Sequence, residues 1–229
     1  MTTTSRLLII VLACLVASMP VYAAKPLEIN EINVNEHISE IQKSVSKDSK
    51  HIDLVLWMTK EFWLSSSKDT VSATSLKDLE ALFDQHMVVA VLDADIVNLG
   101  DVKATDTNKI RESLKIIDVD GKVYSPIEQK KISAEIQVLI GVMRPMFTNM
   151  MGNLGSSVEF YVFPARDANK RIGNPYANGK FVIQMLGNDY NFRLPLNSLL
   201  QKKTDVTTGE KFPGSYSFNP YNGKALADE

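Results

Sequence analysis

Cysteine is almost missing: the chain of 229 residues carries one, Cys14. A disulfide needs two thiols and a thiolate zinc site commonly four, so this sequence cannot build either within itself. Histidine is scarce as well. His37, His51 and His86 are the only three, and no two have the spacing that sets a pair of imidazoles on one helical face for zinc. Nor is there an excess of charge of either sign, because 25 Lys and Arg against 27 Asp and Glu leave a formal net charge of −2. Nucleic-acid binding demands a basic surface that displaces counterions, so nucleic acid is not expected as a partner. Long apolar runs are confined to one place. Beyond it, none approaches the roughly 20 residues that a membrane span requires.

That place is the amino terminus. Arg6 gives a cationic start, Leu7 to Val16 are uncharged and apolar, and Val21-Tyr22-Ala23 offers the small residues that signal peptidase accepts. Residues 1–23 therefore read as a signal peptide cleaved after Ala23, and the protein as exported, periplasmic or secreted. Val11-Leu12-Ala13-Cys14 resembles a lipid-attachment box. However, Leu15, Val16 and Ala17 prolong the apolar segment past Cys14, where a lipidated cysteine normally closes it. Cleavage removes the thiol and leaves about 206 residues. That is enough for one large domain or two small ones, stabilised by the core alone.

Periodicity sets out the elements. Val34, Ile38, Ile41 and Val45 recur at helical steps. Leu54 to Trp63 holds both tryptophans, and Leu54, Trp57, Met58 and Phe62 share one helical face, which predicts a core-facing helix. An exposed aromatic platform for carbohydrate or a partner is the alternative there. Ser75 is expected to cap a third helix bearing Leu76, Leu79, Leu82 and Phe83. Residues 24–86 thus form a helical amino-terminal segment. Met87–Leu92 reads as a central strand, Ile110–Ile117 as a second, and Asp120-Gly121 as a hairpin turn. Ser125-Pro126-Ile127-Glu128 has the form of a capping box, opening an inserted helix over 126–152. Ile132, Ile136, Leu139 or Ile140, and Met143 line one side of it, and Pro145 should kink it.

The last third alternates. Val158, Phe160 and Val162, then Phe181–Leu186, then Phe192, Leu194 and Leu196 read as strands, joined by turns at Asn178-Gly179 and near Gly187-Asn188-Asp189. Pro195 marks a sheet edge. The fold class is therefore α+β: an antiparallel, sandwich-like sheet over 87–200 with amphipathic helices packed on it, followed by a turn-rich tail over 201–229.

Two segments of that tail echo each other. Asp205-Val206-Thr207-Thr208-Gly209 and Asn219-Pro220-Tyr221-Asn222-Gly223 each place two polar residues three apart before a glycine. This spacing resembles the paired knuckles of a zinc ribbon, with Asp205, Thr208, Asn219 and Asn222 standing where thiolates would be. Oxygen and amide groups are poor zinc ligands, so the resemblance implies a pair of knuckle-shaped turns without metal. Asn and Asp side chains would bond nearby amides in the ion's place, and Phe212, Tyr216, Phe218 and Tyr221 would dock the tail. Two unrelated surface turns would leave the same trace. Calcium at Asp205 would need a carboxylate-rich loop that is not present. The whole resembles an uncharacterised bacterial exported family, which names no activity.

No motif announces catalysis. A Gly-x-Ser-x-Gly elbow and a phosphate loop are both missing. Asp93, Asp95, Asp118 and Asp120 sit at strand ends and turns, where aspartate usually serves the backbone. Arg166, Lys170 and Arg171 read as a solvated basic loop. The methionine-rich helix remains, with Met143, Met146, Phe147 and Met150 as weak ligand-binding candidates, against the alternative that they fill the core. The leading expectation is a non-enzymatic interaction or structural module of the cell envelope, without cofactor or metal, meeting an unidentified protein or apolar ligand. A periplasmic carrier of a lipid or other apolar molecule is one alternative, and a hydrolase with a dispersed triad is another. A serine in hydrogen-bond reach of a histidine would favour the last.

Overall fold

From Lys25 onward the computed structural model describes residues 25–98 and 101–228. Residues 1–23, expected to be a signal peptide, and Cys14 among them, lie outside the described residues. Asn33 opens α1 (Val34–Ile41), its side chain accepting the amides of Asn35 and Glu36, in the usual manner of a helix cap. There follow β1 (Gln42–Lys43), β2 (His51–Met58), α2 (Lys60–Ser67), α3 (Ala73–Gln85), β3 (His86–Asn98) and β4 (Asp101–Ala104). Next come α4 (Thr107–Ser113), β5 (Lys115–Ile117), β6 (Val123–Tyr124), α5 (Ala134–Met151) and α6 (Asn153–Ser156). The chain continues through β7 (Glu159–Pro164), β8 (Arg166–Asp167), β9 (Lys170–Arg171), β10 (Gly179–Met185) and β11 (Asn188–Leu194). The tail adds β12 (Lys203–Thr204), β13 (Lys211–Phe212) and β14 (Ala227–Asp228).

The architecture is α+β, with antiparallel pairing in each sheet. In the five-stranded sheet β3 is central. β2 runs along one edge of it, from His51 opposite Asp95 to Met58 opposite Val88. β7 and β4 share the other edge, β7 facing His86 to Val91 and β4 facing Ala94 to Asn98. A four-stranded sheet in the order β11-β10-β5-β6 packs against it. The contact is aromatic: the Trp57 ring of β2 lies 4.3 Å from Phe181 of β10 and 5.4 Å from Phe192 of β11. Elsewhere Phe147 of α5 meets Phe160 of β7 edge-on at 5.5 Å, and Trp63 of α2 stacks on Phe83 of α3 at 4.7 Å.

Several expected elements change type. Leu54–Met58 is strand, not helix, so residues 24–86 are not a helical segment; β2 belongs to the main sheet. Val55, Leu56, Trp57 and Met58 are all buried, and a run apolar on both faces fits a strand sandwiched between layers as well as it fits a helix. Thr59 decides the boundary, its hydroxyl capping α2 through the amide of Phe62. The first half of Ile110–Ile117 is helix: Asp106 caps α4, and only Lys115–Ile117 is strand. The Ser125–Glu128 box opens no α-helix: Ile127 donates its amide to Val162 of the β7 edge at 2.7 Å, and only a single 3-10 turn, Gln129–Lys131, follows. Ser133 caps α5 instead, so the inserted helix spans Ala134–Met151 rather than 126–152, and it runs through Pro145. Ser72, not Ser75, caps α3.

The turns fare better. Gly121 has φ 81° in the hairpin between β5 and β6. Met185 pairs with Asn188, which puts the next turn on Leu186 and Gly187, both with positive φ, as a two-residue hairpin of this hand requires. Strand β11 is an edge strand, and Pro195 follows it directly.

Candidate functional site

The four candidate positions on α5 do not share an environment. Met143 and Phe147 are buried beneath the helix, whereas Met146 is 62% and Met150 72% exposed. Val138 and Val142, 67% and 60% exposed, precede the two exposed methionines at four-residue steps. Together Val138, Val142, Met146 and Met150 form one continuous apolar ridge along α5, since residues four apart lie on adjoining turns. Sequence reasoning missed the two valines. Their spacing from Met146 was the available signal.

Along the other flank of α5 lies a groove of about 510 Å³, between that helix, α4 and β7. Arg111 of α4 and Arg144 of α5 line it, over a floor that includes Phe160 and Tyr161. Each guanidinium sits over a ring, Arg111 5.1 Å from the Tyr161 centroid and Arg144 5.6 Å from that of Phe160.

The histidines are each engaged. His37 is fully buried, with Nδ1 2.8 Å from the Ser198 hydroxyl and Nε2 2.7 Å from the Thr59 hydroxyl. A serine is therefore within reach of a histidine, but the order of the chain of bonds differs from a triad. Ser198 Oγ donates to Glu40 Oε2 at 2.6 Å, so it accepts from His37 Nδ1–H, and Nε2 accepts from Thr59. Nucleophilic catalysis needs the imidazole between serine and acid; here the serine stands between. Glu40 also takes the backbone amides of Asn197 and Ser198. The network is a bracket joining α1, the start of α2 and the turn at Asn197–Leu199. Burial pushes His37 down to about 4, against the opposing pull of Glu61 and Glu40.

His51 bonds Asp95 at 2.8 Å and Asp93 at 3.2 Å across β2 and β3. The bond to Asp95 is the main reason its pKa is raised. His86 bonds the Leu82 carbonyl at the end of α3. Asp118 and Asp120 both hold Lys170 Nζ at 2.7 Å, so these carboxylates fasten turns. Among the described residues, no group of three or more His, Cys, Asp or Glu is arranged to hold a metal ion.

Neither a protein-family model nor a curated protein matches the chain. It is similar to a solved structure, a novel protein of unknown function from Burkholderia pseudomallei, with a TM-score of 0.31 and 10% identity over 70% of this chain and 81% of that one. So loose a likeness says nothing about activity. No helix among the described residues is long and apolar enough to cross a membrane.

The two tail turns do meet. Asp205 Oδ2 accepts the side-chain amides of Asn219 and Asn222, and Oδ1 accepts the backbone amides of Thr207 and Thr208. Gly209 and Gly223 close the turns at φ 73° and 72°, donating to the carbonyls of Asp205 and Asn219. These donors, the Asn219 amide first, hold the Asp205 carboxyl well below the usual carboxylate range. Phe212 is buried, but Phe218 and Tyr221 are 51% and 81% exposed and do not dock the tail. Asp205→Ala is expected to accelerate amide exchange at Thr207, Thr208 and Gly223 while β2 and β3 stay protected. Unchanged exchange in the tail would show that the carboxylate does not organise it.

Proposed function

We propose that the protein is an exported, non-enzymatic binding module of the cell envelope, and that a partner protein docks on the ridge of α5. The observation that carries this reading is the exposure of Val138, Val142, Met146 and Met150 in one uninterrupted row. Leaving such side chains in water forgoes about 25 cal/mol per Å² of apolar surface, and a four-residue ridge is the shape that fits the groove of a second helix. Methionine adapts to an irregular partner. A protein fits better than a lipid surface, because helices that lie on membranes are rimmed with Lys and Arg. The basic residue within α5, Arg144, is bound to Glu159 at 2.7 Å. Export rests on the pattern of residues 1–23, and the absence of chemistry on the structural employment of His37, His51 and His86. The carrier reading has less support, since Met143 and Phe147 are spent in the core.

Two measurements test it together. Fractionation of producing cells should find the chain outside the cytoplasm, lacking residues 1–23. A photo-crosslinker placed at Met146 should then give one discrete adduct there. The Val142→Asp, Met150→Asp variant should lose that adduct at least tenfold with an unchanged melting temperature. A cytoplasmic chain with Met1 intact, or an adduct indifferent to the two aspartates, refutes the proposal.

A further inference from the structure

We propose that the groove between α4, α5 and β7 binds a small oxyanion, a carboxylate or phosphate group on a free ligand, with Arg111 as its charge anchor. This site does not depend on the docking ridge. Arg111 donates Nη1 to the Ile127 carbonyl at 3.1 Å and Nη2 to Gln129 Oε1 at 3.3 Å, and among the described residues no carboxylate pairs with it. A guanidinium carries five donors in a fixed fork, so most of its capacity is unspent beside the groove it lines. A half-buried cation without a counter-ion is costly to desolvate, and a bound anion relieves that cost.

The surroundings favour the same sign. Glu159 is the carboxylate in the lining, and Arg144 already neutralises it at 2.7 Å, while Nη1 of Arg144 bonds the Val158 carbonyl at 3.4 Å. Cation–π contact with Tyr161 and Phe160, together with the hydrogen bonds each makes, restrains both guanidinium groups before any ligand arrives, so less ordering is left to oppose binding. Gln137 is tied back by its amide to the Ile132 carbonyl at 2.9 Å, which holds the polar rim in place. Gly141 opens the wall: a Cβ there would meet nothing within 4 Å. The volume of about 510 Å³ suits a ligand of a dozen or so heavy atoms rather than a polymer.

The test uses the mature, isotope-labelled chain, titrated separately with citrate and with inorganic phosphate at constant ionic strength. Saturable shifts are expected at the amides of Arg111, Gly141 and Tyr161. Saturation by citrate assigns a carboxylate ligand, and saturation by phosphate a phosphate ester. Arg111→Gln should weaken binding at least tenfold. Gly141→Leu, which enters open space and leaves the fold intact, should do the same by filling the groove, and it decides the matter if Arg111→Gln fails to fold. Shifts that rise linearly without saturating for both anions, or an affinity that neither substitution changes, overturn the proposal.

Discussion

Glu61→Ala is expected to cost about 3–5 kcal/mol of stability, the range for orphaning one member of a buried ion pair. Glu61 lies in the first turn of α2 and is 3% exposed. Its two oxygens accept Nη1 and Nη2 of Arg171 at 2.7 and 2.8 Å, a parallel fork that ties the helix to β9. Burial alone would raise the Glu61 carboxyl, yet the hydrogen bonds and charge of Arg171 hold it below its ordinary value. Removing the carboxylate leaves a guanidinium whose side chain is only 23% exposed without its counter-charge. Because most of the expected loss is that orphaned charge, Glu61→Ala with Arg171→Met should be more stable than Glu61→Ala alone. Urea unfolding measures all three proteins. A single substitution costing less than about 1 kcal/mol, the scale of an exposed pair, would mean the bridge is effectively solvated.

Acid should weaken the fold well above the carboxylate range, through His37. Its ordinary value is 6.5 and its folded value about 4, so the unfolded chain takes up the proton first. The resulting stability is complete above pH 6.5 and is lost as pH falls toward 4. The interval between the two values corresponds to about 3 kcal/mol. His51 acts with the opposite sign. Its raised value contributes stability at low pH that fades as pH rises. Comparing the parent chain with His37→Asn separates the two, because His51 is common to both. The stability difference between them should shrink steadily from pH 7 to pH 4, and a constant difference would mean that His37 does not titrate in this window.

Strands with a polar face or a clear turn were legible before the structure: Asn188–Leu194 alternates buried and exposed residues, and the hairpin at Leu186–Gly187 joins it to Gly179–Met185. Leu54–Met58 was not, because a run apolar on every side fits a helix and an enclosed strand equally. The α5 residues show a different limit. Met143, Met146, Phe147 and Met150 fall within an arc of roughly 100° on a helix, which is why they read as one site. What lies over each turn is decided by other elements, and Phe160 covers Phe147 while Met150 is left wet. Arg171 read as part of a solvated loop because its partner Glu61 is 110 residues away, and no local pattern encodes so distant a contact. The tail was more open to reading. Its repeated spacing picked out Asp205, Thr208, Asn219 and Asn222; the side chains of Asp205, Asn219 and Asn222 converge, while the Thr208 hydroxyl accepts the Glu210 amide instead.

The order of strands along the chain constrains how the molecule can come apart. β5 and β6 of the four-stranded sheet are laid down between β3 and β7 of the five-stranded one. Neither layer is therefore a contiguous stretch of polypeptide, and no single cut releases a self-sufficient half. The ends of the chain of events are also far apart, since His86 must wait for Pro164 before that edge can zip. Both layers should be gained together and lost together, so the body of the protein is expected to melt as one cooperative unit.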